Sequence, residues 1–242
     1  MCIRDRAYGV KHALLVQPNS GYGSDNSCML DTIRQAAGRL KGIAIVDLDA
    51  DITTLRDLAA QGIVGAAINP TFHGNAYYKD CAGLMKRLAE LDMVFDLQVE
   101  HDQLLMYAPL IHDIPVKVLI DHSGRPTPPA GLNQQGFAAL LRLADTGRVS
   151  VKLSGYSKFS RQPHPFEDCW PFVRAIVDAF TLRHCMWASD WPFLRATERI
   201  DYGPLPSLIE TLQTSPTGGR SFGTRHVAYL VLANNSYPPP KA

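Results

Sequence analysis

Two ionisable side chains, His122 and Arg125, directly follow an apolar run at 116–120. Gly124 and Pro126 mark this segment as a short turn. An imidazole in this place could bind a metal or transfer a proton, and a guanidinium could hold a substrate carboxylate. The alternative for the histidine is structural, because a histidine after a strand can simply hydrogen-bond the loop backbone.

A carboxylate, Asp190, follows another apolar run and lies between two indoles, Trp187 and Trp191. Unless a cation lies nearby, apolar walls raise the pKa of a carboxylate, which suits a group that takes a proton from water. The alternative is an N-cap for a following helix, a place where aspartate is common.

A lysine, Lys152, lies inside a third apolar run, where alternation places it on the same face as Ser150 and Ser154. A lysine within a buried strand must be paired with a carboxylate or take part in chemistry, and pairing is the commoner reason. Tyr156 and Lys158 fall in the loop that follows, where they could bind a substrate.

Several common site motifs are absent from the sequence. The eight histidines are dispersed, so no H-x-H, H-x-x-x-H or H-E-x-x-H pattern occurs, and there is no G-x-S-x-G elbow or Walker-type phosphate loop. Segment 21–26 fails the dinucleotide fingerprint at its sixth position. Asp47, Asp49 and Asp51 are spaced like the start of a calcium loop that lacks its glycine and glutamate, so a strand end and a helix cap explain them better.

Seven apolar runs, which predict β-strands, alternate with amphipathic helical segments. The runs lie at 12–16, 43–46, 64–68, 93–97, 116–120, 149–153 and 185–188. One helical segment places four apolar residues on a single face, Cys81, Leu84, Met85 and Leu88. Continuous apolar strands joined by helical crossovers predict a parallel sheet, and seven strands are one fewer than a (β/α)8 TIM-type barrel contains.

The composition excludes several classes of partner. The 242 residues include 24 lysines and arginines against 23 aspartates and glutamates, and a net charge of +1 argues against nucleic acid or an acidic membrane as partner. The charged segment Met1–Arg6 is unlike a signal peptide, which predicts a cytoplasmic protein whose five cysteines are free thiols. We expect one domain over 1–242, with 214–242 irregular.

Four segments in register resemble the amidohydrolase-2 group of the amidohydrolase superfamily, which includes 2-pyrone-4,6-dicarboxylate lactonases and sugar-lactone hydrolases. These segments are Leu15–Pro18, Ile120–Gly124, Val151–Gly155 and Ala188–Pro192. The likeness runs from about Tyr8 to about Leu194. It implies a distorted (β/α)8 barrel of the α/β class, with the hydrolytic site at the carboxyl-terminal mouth of the strands.

The resemblance also implies roles for individual residues. Asp190 would activate the attacking water, and His122 would polarise the substrate carbonyl or, with Asp190, bind one divalent metal such as zinc or manganese. A metal-independent reaction is the alternative. Arg125 would hold a substrate carboxylate, and further substrate-binding residues would be Gln17, Tyr156, Lys158 and Trp191.

The sequence departs from the family pattern in four places. The family opens with a strand that ends in H-x-H, which predicts that this chain is N-terminally incomplete, lacks the first strand of the barrel, and has residues 1–7 outside the fold. The run Gly65–Asn69 lacks the substrate-binding arginine that the fourth family strand usually carries, and Lys158 stands where the pyrone enzymes tend to have arginine. Both departures weaken a dicarboxylate assignment. Gln98 replaces the histidine of binuclear members. His122 and Asp190 are two ligands, short of the three of a catalytic zinc, which predicts weak metal binding and low turnover.

These observations predict a hydrolase that opens a lactone or similar cyclic ester of a small carboxylic acid. A metal-dependent decarboxylase on the same barrel and an inactive small-acid-binding barrel are the alternatives, and a doubly wound open sheet is the alternative fold. The expected partner is a small molecule rather than nucleic acid or a membrane. The unpaired edges of an incomplete barrel also favour a homo-oligomer.

Overall fold

The computed structural model describes residues 10–19, 21–193, 200–201 and 203–205. Within this part of the chain seven parallel strands form one sheet, and each strand pairs with the next one along the chain. The strands are β1 (Ala13–Val16), β2 (Leu40–Ala44), β3 (Ile63–Ile68), β4 (Val94–Leu97), β5 (Lys117–Ile120), β6 (Val149–Leu153) and β7 (Cys185–Trp187). Each predicted apolar run therefore overlaps a strand.

Helical crossovers connect the strands, as the parallel order requires. The α-helices are α1 (Ser27–Gln35), α2 (Ile52–Ala60), α3 (Pro70–His73), α4 (Ala82–Glu90), α5 (Leu104–Asp113), α6 (Gln135–Arg142), α7 (Tyr156–Phe159) and α8 (Trp170–Phe180). Asp51 caps α2, since its carboxylate accepts a hydrogen bond from the Thr54 backbone N–H at 2.7 Å. The predicted apolar face of α4 packs against the sheet, and Leu84, Met85 and Leu88 are fully buried.

On one face of the sheet, an apolar layer lies next to buried charged residues that are nearer the carboxyl ends of the strands. The apolar layer is a buried cluster of Ile43, Val94, Leu119 and Met186. Side chains on a strand return to the same face at every second residue, so Asp96 and Asp121 stand one step nearer the carboxyl ends than Val94 and Leu119. Moving toward those ends, the interior thus changes from hydrocarbon to charge.

Strand β2 begins and ends earlier than predicted. The apolar run suggested 43–46, whereas the strand is Leu40–Ala44. Asn26, which lies just before α1, explains the early end. Its side-chain oxygen accepts a hydrogen bond from the Ile45 backbone N–H at 3.1 Å, and its amide nitrogen donates one to the Ile45 carbonyl at 2.9 Å. The backbone of Ile45 is therefore bound by a side chain instead of a neighbouring strand.

The first strand is the most exposed one in the sheet. Val16 at its end is 39% exposed, and β1 and β7 are the two ends of the strand order in the described part of the chain. None of the described helices is long and apolar enough to cross a membrane. The four described cysteines are free, as predicted, and the predictions for residues 1–7 and 214–242 lie outside the described residues.

Candidate active site

The turn after β5 aims His122 into the carboxyl-terminal mouth of the sheet. His122, Ser123, Gly124 and Arg125 all have left-handed backbones, with φ between 42° and 69°. Three of these four residues carry side chains that disfavour this conformation, so the turn is strained. It brings His122 Nδ1 to 3.0 Å from the Ser154 hydroxyl at the end of β6.

Gly155 provides the space for that imidazole. A Cβ at this position would lie 2.7 Å from the His122 ring, closer than carbon atoms in proteins approach each other. Gly155 also has φ +68°, so any larger residue would be strained as well as crowded. The glycine of the Val151–Gly155 segment is therefore explained by the histidine of the neighbouring strand.

His122, Asp190 and Lys158 form a group that we call the mouth cluster. His122 Nε2 lies 3.5 Å from Asp190 Oδ1, and Lys158 Nζ lies 3.1 Å from Asp190 Oδ2. Both carboxylate oxygens of Asp190 thus face a nitrogen. The side chains are between 9% and 16% exposed, so the group is sheltered but still reaches solvent. The structure brings His122 and Asp190 together, while their predicted catalytic roles remain predictions.

Burial decides the charge of His122. It lowers the pKa of the imidazole, and Arg125 and Lys152 lower it further, against the opposing effects of Asp121 and Asp190. The ring is therefore neutral at pH 7. A neutral ring has one N–H and one acceptor nitrogen, and the Ser154 hydroxyl can pair with Nδ1 in either form, as a donor or as an acceptor.

A second charged group, which we call the interior triad, lies inside the sheet and consists of Lys152, Asp96 and Asp121. Lys152 Nζ lies 3.0 Å from Asp96 Oδ1 and 2.5 Å from Asp121 Oδ1. All three side chains are buried. Lys152 is therefore paired with carboxylates, which was the structural alternative to a role in chemistry. Sequence reasoning did not identify its partners, although Asp96 within a predicted buried strand was a signal.

The interior triad shares its charge unevenly. Burial, reinforced by the neighbouring Asp121 carboxylate, raises the pKa of Asp96 to about 7. Burial also opposes ionisation of Asp121, but Lys152 and then His122 hold the pKa of this carboxyl below its ordinary value. For Lys152, the two carboxylates outweigh burial and raise the pKa of the ammonium group. At neutral pH, Asp121 is therefore ionised beside the ammonium group of Lys152, while Asp96 is only partly ionised.

Arg125 lies beside the mouth cluster and already has a carboxylate partner. Its Nη1 lies 3.4 Å from Oε2 of Glu100, a residue in the loop that follows β4. Glu100 was not identified from the sequence, because nothing in its local pattern predicts a contact with a turn 25 residues later.

The remaining predicted substrate-binding residues have different surroundings. Gln17 is buried, and its amide donates a hydrogen bond to the Asp25 carbonyl at 2.7 Å, which fixes the loop after β1. Tyr156 packs against aromatic rings that include Trp170, but it also lines a small hollow beside Asp190. Trp191, directly after Asp190, is half exposed. From the predicted set, Lys158 forms an ion pair with Asp190.

A metal site needs more ligands than the described residues provide. No group of three histidine, cysteine, aspartate or glutamate side chains within them could hold a metal ion. His122 and Asp190 would supply two protein ligands, whereas a catalytic zinc needs three. A cation bound to Asp190 would also have to displace Lys158 from one carboxylate oxygen, or lie between His122 and the other oxygen. These residues do not by themselves fit a catalytic zinc.

The fold and the site together define a class of protein. A parallel α/β sheet of the TIM-barrel type carries a carboxylate, an imidazole and an ammonium group at the carboxyl ends of its strands, which is where proteins of this type have their active sites. The chain belongs to the amidohydrolase family, whose model matches residues 3–217. The predicted family and the predicted fold are both confirmed.

Individual relatives give more detail. The chain is 33% identical over 190 residues to a 4-sulfomuconolactone hydrolase of Rhizobium radiobacter, in a match that covers 76% of this chain and 62% of the relative. It is 25% identical over 194 residues to a D-galactarolactone isomerase of Agrobacterium fabrum, covering 80% of this chain and 66% of the relative. The chain thus spans less than two thirds of the length of these relatives.

A solved structure confirms the architecture. A probable 2-pyrone-4,6-dicarboxylic acid hydrolase of Acinetobacter baumannii, with citric acid bound, superposes with a TM-score of 0.79 at 26% identity. The match covers 87% of this chain and 79% of the other. The strand order described above is therefore that of an amidohydrolase-type barrel.

Proposed function

We propose that this chain carries the hydrolytic site of a lactonase, which opens a lactone or similar cyclic ester of a small carboxylic acid. The observation that carries the proposal is the pairing of Asp190 with His122 at 3.5 Å in the mouth of the sheet. The names of the relatives support it, because both relatives described above act on lactones. A cytoplasmic location, a divalent metal and a homo-oligomer remain predictions.

Asp190 is the general base in this proposal. It takes a proton from water while the water oxygen bonds to the carbonyl carbon of the lactone. The ring carbon–oxygen bond then breaks, and the ring oxygen receives that proton from Asp190. One lactone and one water give one hydroxy acid. Lys158 and His122 face the two oxygens of Asp190 and so restrict its rotation.

His122 stabilises the negative charge that forms on the carbonyl oxygen. If the Ser154 hydroxyl donates to Nδ1, the ring proton is on Nε2, which faces the mouth and can donate to that oxygen. A neutral imidazole is the right form for this role, because it keeps the donor without adding a charge that would pair tightly with Asp190. Arg125 then binds the carboxylate of the substrate.

The proposal is tested by following ring opening of a lactone panel with the chain, using acid release and CO₂ release as separate readouts. We expect acid release without CO₂. The His122→Asn variant should lose at least about tenfold in rate, since asparagine tolerates the left-handed backbone but does not place a ring nitrogen there. CO₂ release, or no ring opening of any lactone, would overturn the proposal.

The structure offers a matched control in His101→Asn. His101 is also a histidine with φ 51°, and it stands after the neighbouring strand β4. It is exposed, and its Nδ1 lies 2.7 Å from the Thr127 hydroxyl. This variant should keep the rate of the unaltered chain, so an equal loss in both variants would contradict a specific role for the imidazole of His122.

A further inference from the structure

Arg125, to which the proposed function assigns the substrate carboxylate, already faces a carboxylate of the protein itself. Its Nη1 lies 3.4 Å from Glu100 Oε2. The two residues follow strands that pair with each other, since Glu100 lies in the loop after β4 and Arg125 lies in the turn after β5. A ligand that binds the guanidinium must therefore replace this partner or share it.

Burial explains why Arg125 needs a partner. Its side chain is 13% exposed, and a guanidinium keeps its charge at neutral pH. A sheltered cation without a counter-charge is strongly destabilising. The side chain of Glu100 is 35% exposed, so its carboxylate can leave the pair and be hydrated instead. Of the two members, Glu100 is therefore the one that can be released.

The contact with Glu100 uses little of the guanidinium. A well-placed carboxylate accepts two parallel N–H bonds from an arginine, with N–O distances of about 2.7–2.9 Å. Glu100 accepts one, at 3.4 Å. Among the described residues, the buried Nε of Arg125 has no hydrogen-bond partner. A ligand carboxylate that met both donors would be a better partner than Glu100 is.

Only the side chain of Glu100 has to move for this exchange. The Glu100 backbone N–H donates to the Gln103 side-chain oxygen at 3.0 Å. The next backbone N–H, that of His101, donates to the Arg125 carbonyl at 3.2 Å, so the two loops are joined through their backbones. Rotation of the Glu100 side chain toward solvent therefore leaves both loops in place.

The charge of Arg125 acts on the mouth cluster. Burial lowers the pKa of Arg125, and Glu100 and then Asp190 oppose that effect. Arg125 in turn contributes to the lowered pKa of His122. Interactions between charges are screened beyond about 8 Å at physiological ionic strength unless the groups are buried. A carboxylate bound to Arg125 is therefore near the groups that open the ring.

We propose that Glu100 is a positioning residue for substrate binding, which holds the Arg125 guanidinium before the substrate arrives and is displaced by the substrate carboxylate. This inference rests on the proposed lactonase function. It adds a competitor to the site, because the protein carboxylate and the substrate carboxylate bind the same cation. Glu100 thus sets how strongly the site prefers a carboxylate to a neutral group.

A matched pair of ligands measures this preference. The probes are 3-oxocyclopentane-1-carboxylate, a lactone analogue whose ring cannot be hydrolysed, and its primary amide, which has the same ring and no charge. Calorimetry on the full chain gives both dissociation constants, and the preference is the constant of the amide divided by that of the carboxylate. In Glu100→Gln, which keeps the side-chain length and removes the competing charge, the preference should rise about three- to tenfold.

Arg125→Gln tests whether the effect passes through the guanidinium. In this background, Glu100→Gln should change the preference by less than about twofold, because no cation is left to compete for. Glu90→Gln is the matched control. Glu90 also faces an arginine, Arg56 at 3.6 Å, but the two side chains are exposed on α4 and α2. This variant removes the same charge and should leave the preference within about twofold of the unaltered chain.

The outcomes distinguish this inference from the function on which it rests. A preference that does not rise in Glu100→Gln, an equal rise in the Arg125→Gln background, or binding of neither analogue would overturn the inference. The lactonase proposal would still stand if the chain opens a lactone of the panel described above. Failure to open any lactone of that panel would overturn the lactonase proposal and the inference with it.

Discussion

The interior triad and the mouth cluster each pair a lysine with aspartate, but the two pairs differ in burial. In the triad, Lys152 faces two carboxylates, at 2.5 and 3.0 Å, and no side chain is more than 7% exposed. In the cluster, Lys158 faces one carboxylate at 3.1 Å, and the other oxygen of Asp190 faces an imidazole at 3.5 Å. Residues of both groups lie on neighbouring strands or in the loops that follow these strands. The two groups differ in how deeply they are buried in the sheet.

This difference teaches what burial demands of a charge. Where water is excluded, the ammonium group has short contacts to two carboxylates, and such contacts leave no room for a ligand. At the mouth, the contacts are longer and the groups reach solvent, so water or a substrate can replace a partner at little loss. We therefore expect the triad to determine stability and the cluster to determine reactivity.

Removal of the triad lysine should have the largest effect on folding. Lys152→Met leaves Asp96 and Asp121 buried without their cation, which should lower the free energy of unfolding by about 3–5 kcal/mol. Urea denaturation measures the change. Lys79→Met, at an exposed position, serves as the control and should stay within about 0.5 kcal/mol of the unaltered chain. Equal losses in the two variants would contradict a structural role for the triad.

The pH dependence of stability tests how the triad shares its charge. The pKa of Asp96 is raised to about 7, against about 3.9 in an unfolded chain. The folded state therefore holds a proton that the unfolded state releases, which contributes stability below about pH 4 that is lost as the pH rises through 7. Relative to Asp96→Asn, the unaltered chain should lose up to about 1.4 kcal/mol per pH unit across that window.

Urea denaturation of both proteins at pH 5, 6, 7 and 8 measures this relative slope. Asp57→Asn, on the exposed face of α2, should give a curve parallel to that of the unaltered chain. If the Asp96→Asn curve is parallel as well, Asp96 is ionised throughout and the proposed sharing of charge is wrong.

Two glycines with nearly equal backbones isolate the packing of the mouth. Gly155 has φ +68° and would place a Cβ against the His122 ring, whereas Gly147 has φ +66° and open space around it. Both alanine variants pay the same backbone strain. Gly155→Ala should lose about 1–3 kcal/mol more than Gly147→Ala in urea denaturation, because it also displaces the imidazole. Equal losses would mean that the His122 ring is free to move.

The mouth lysine should matter least for folding. Lys158→Met removes the partner of one Asp190 oxygen, but this carboxylate is 16% exposed and remains hydrated. The free energy of unfolding should fall by about 1 kcal/mol or less, far below the effect of Lys152→Met. A loss as large as that of Lys152→Met would remove the distinction between the two groups.

Most of the fold could be predicted from the sequence, because parallel strands that are buried on both faces appear as continuous apolar runs. The first and last residues of the strands were harder to predict. The early end of β2 depends on Asn26, which lies 19 residues away from the backbone that it binds. A long-range side-chain bond of this kind has no local sequence signal.

The site could be predicted in part for a similar reason. His122 and Asp190 stand directly after apolar runs, and parallel strands bring their carboxyl ends to one edge. The pairing of Lys152 was not predicted, although an aspartate in a buried strand was a signal, since Asp96 is 56 residues away and belongs to a strand that does not pair with β6.

The rate of lactone ring opening by Asp190→Asn tests the central claim most directly. This variant keeps the shape of the side chain and removes its basicity. The account predicts a rate that is about 10²–10⁴-fold lower than that of the unaltered chain, with a free energy of unfolding within about 1 kcal/mol of it. A folded Asp190→Asn chain that opens the ring within threefold of the unaltered rate would contradict the account.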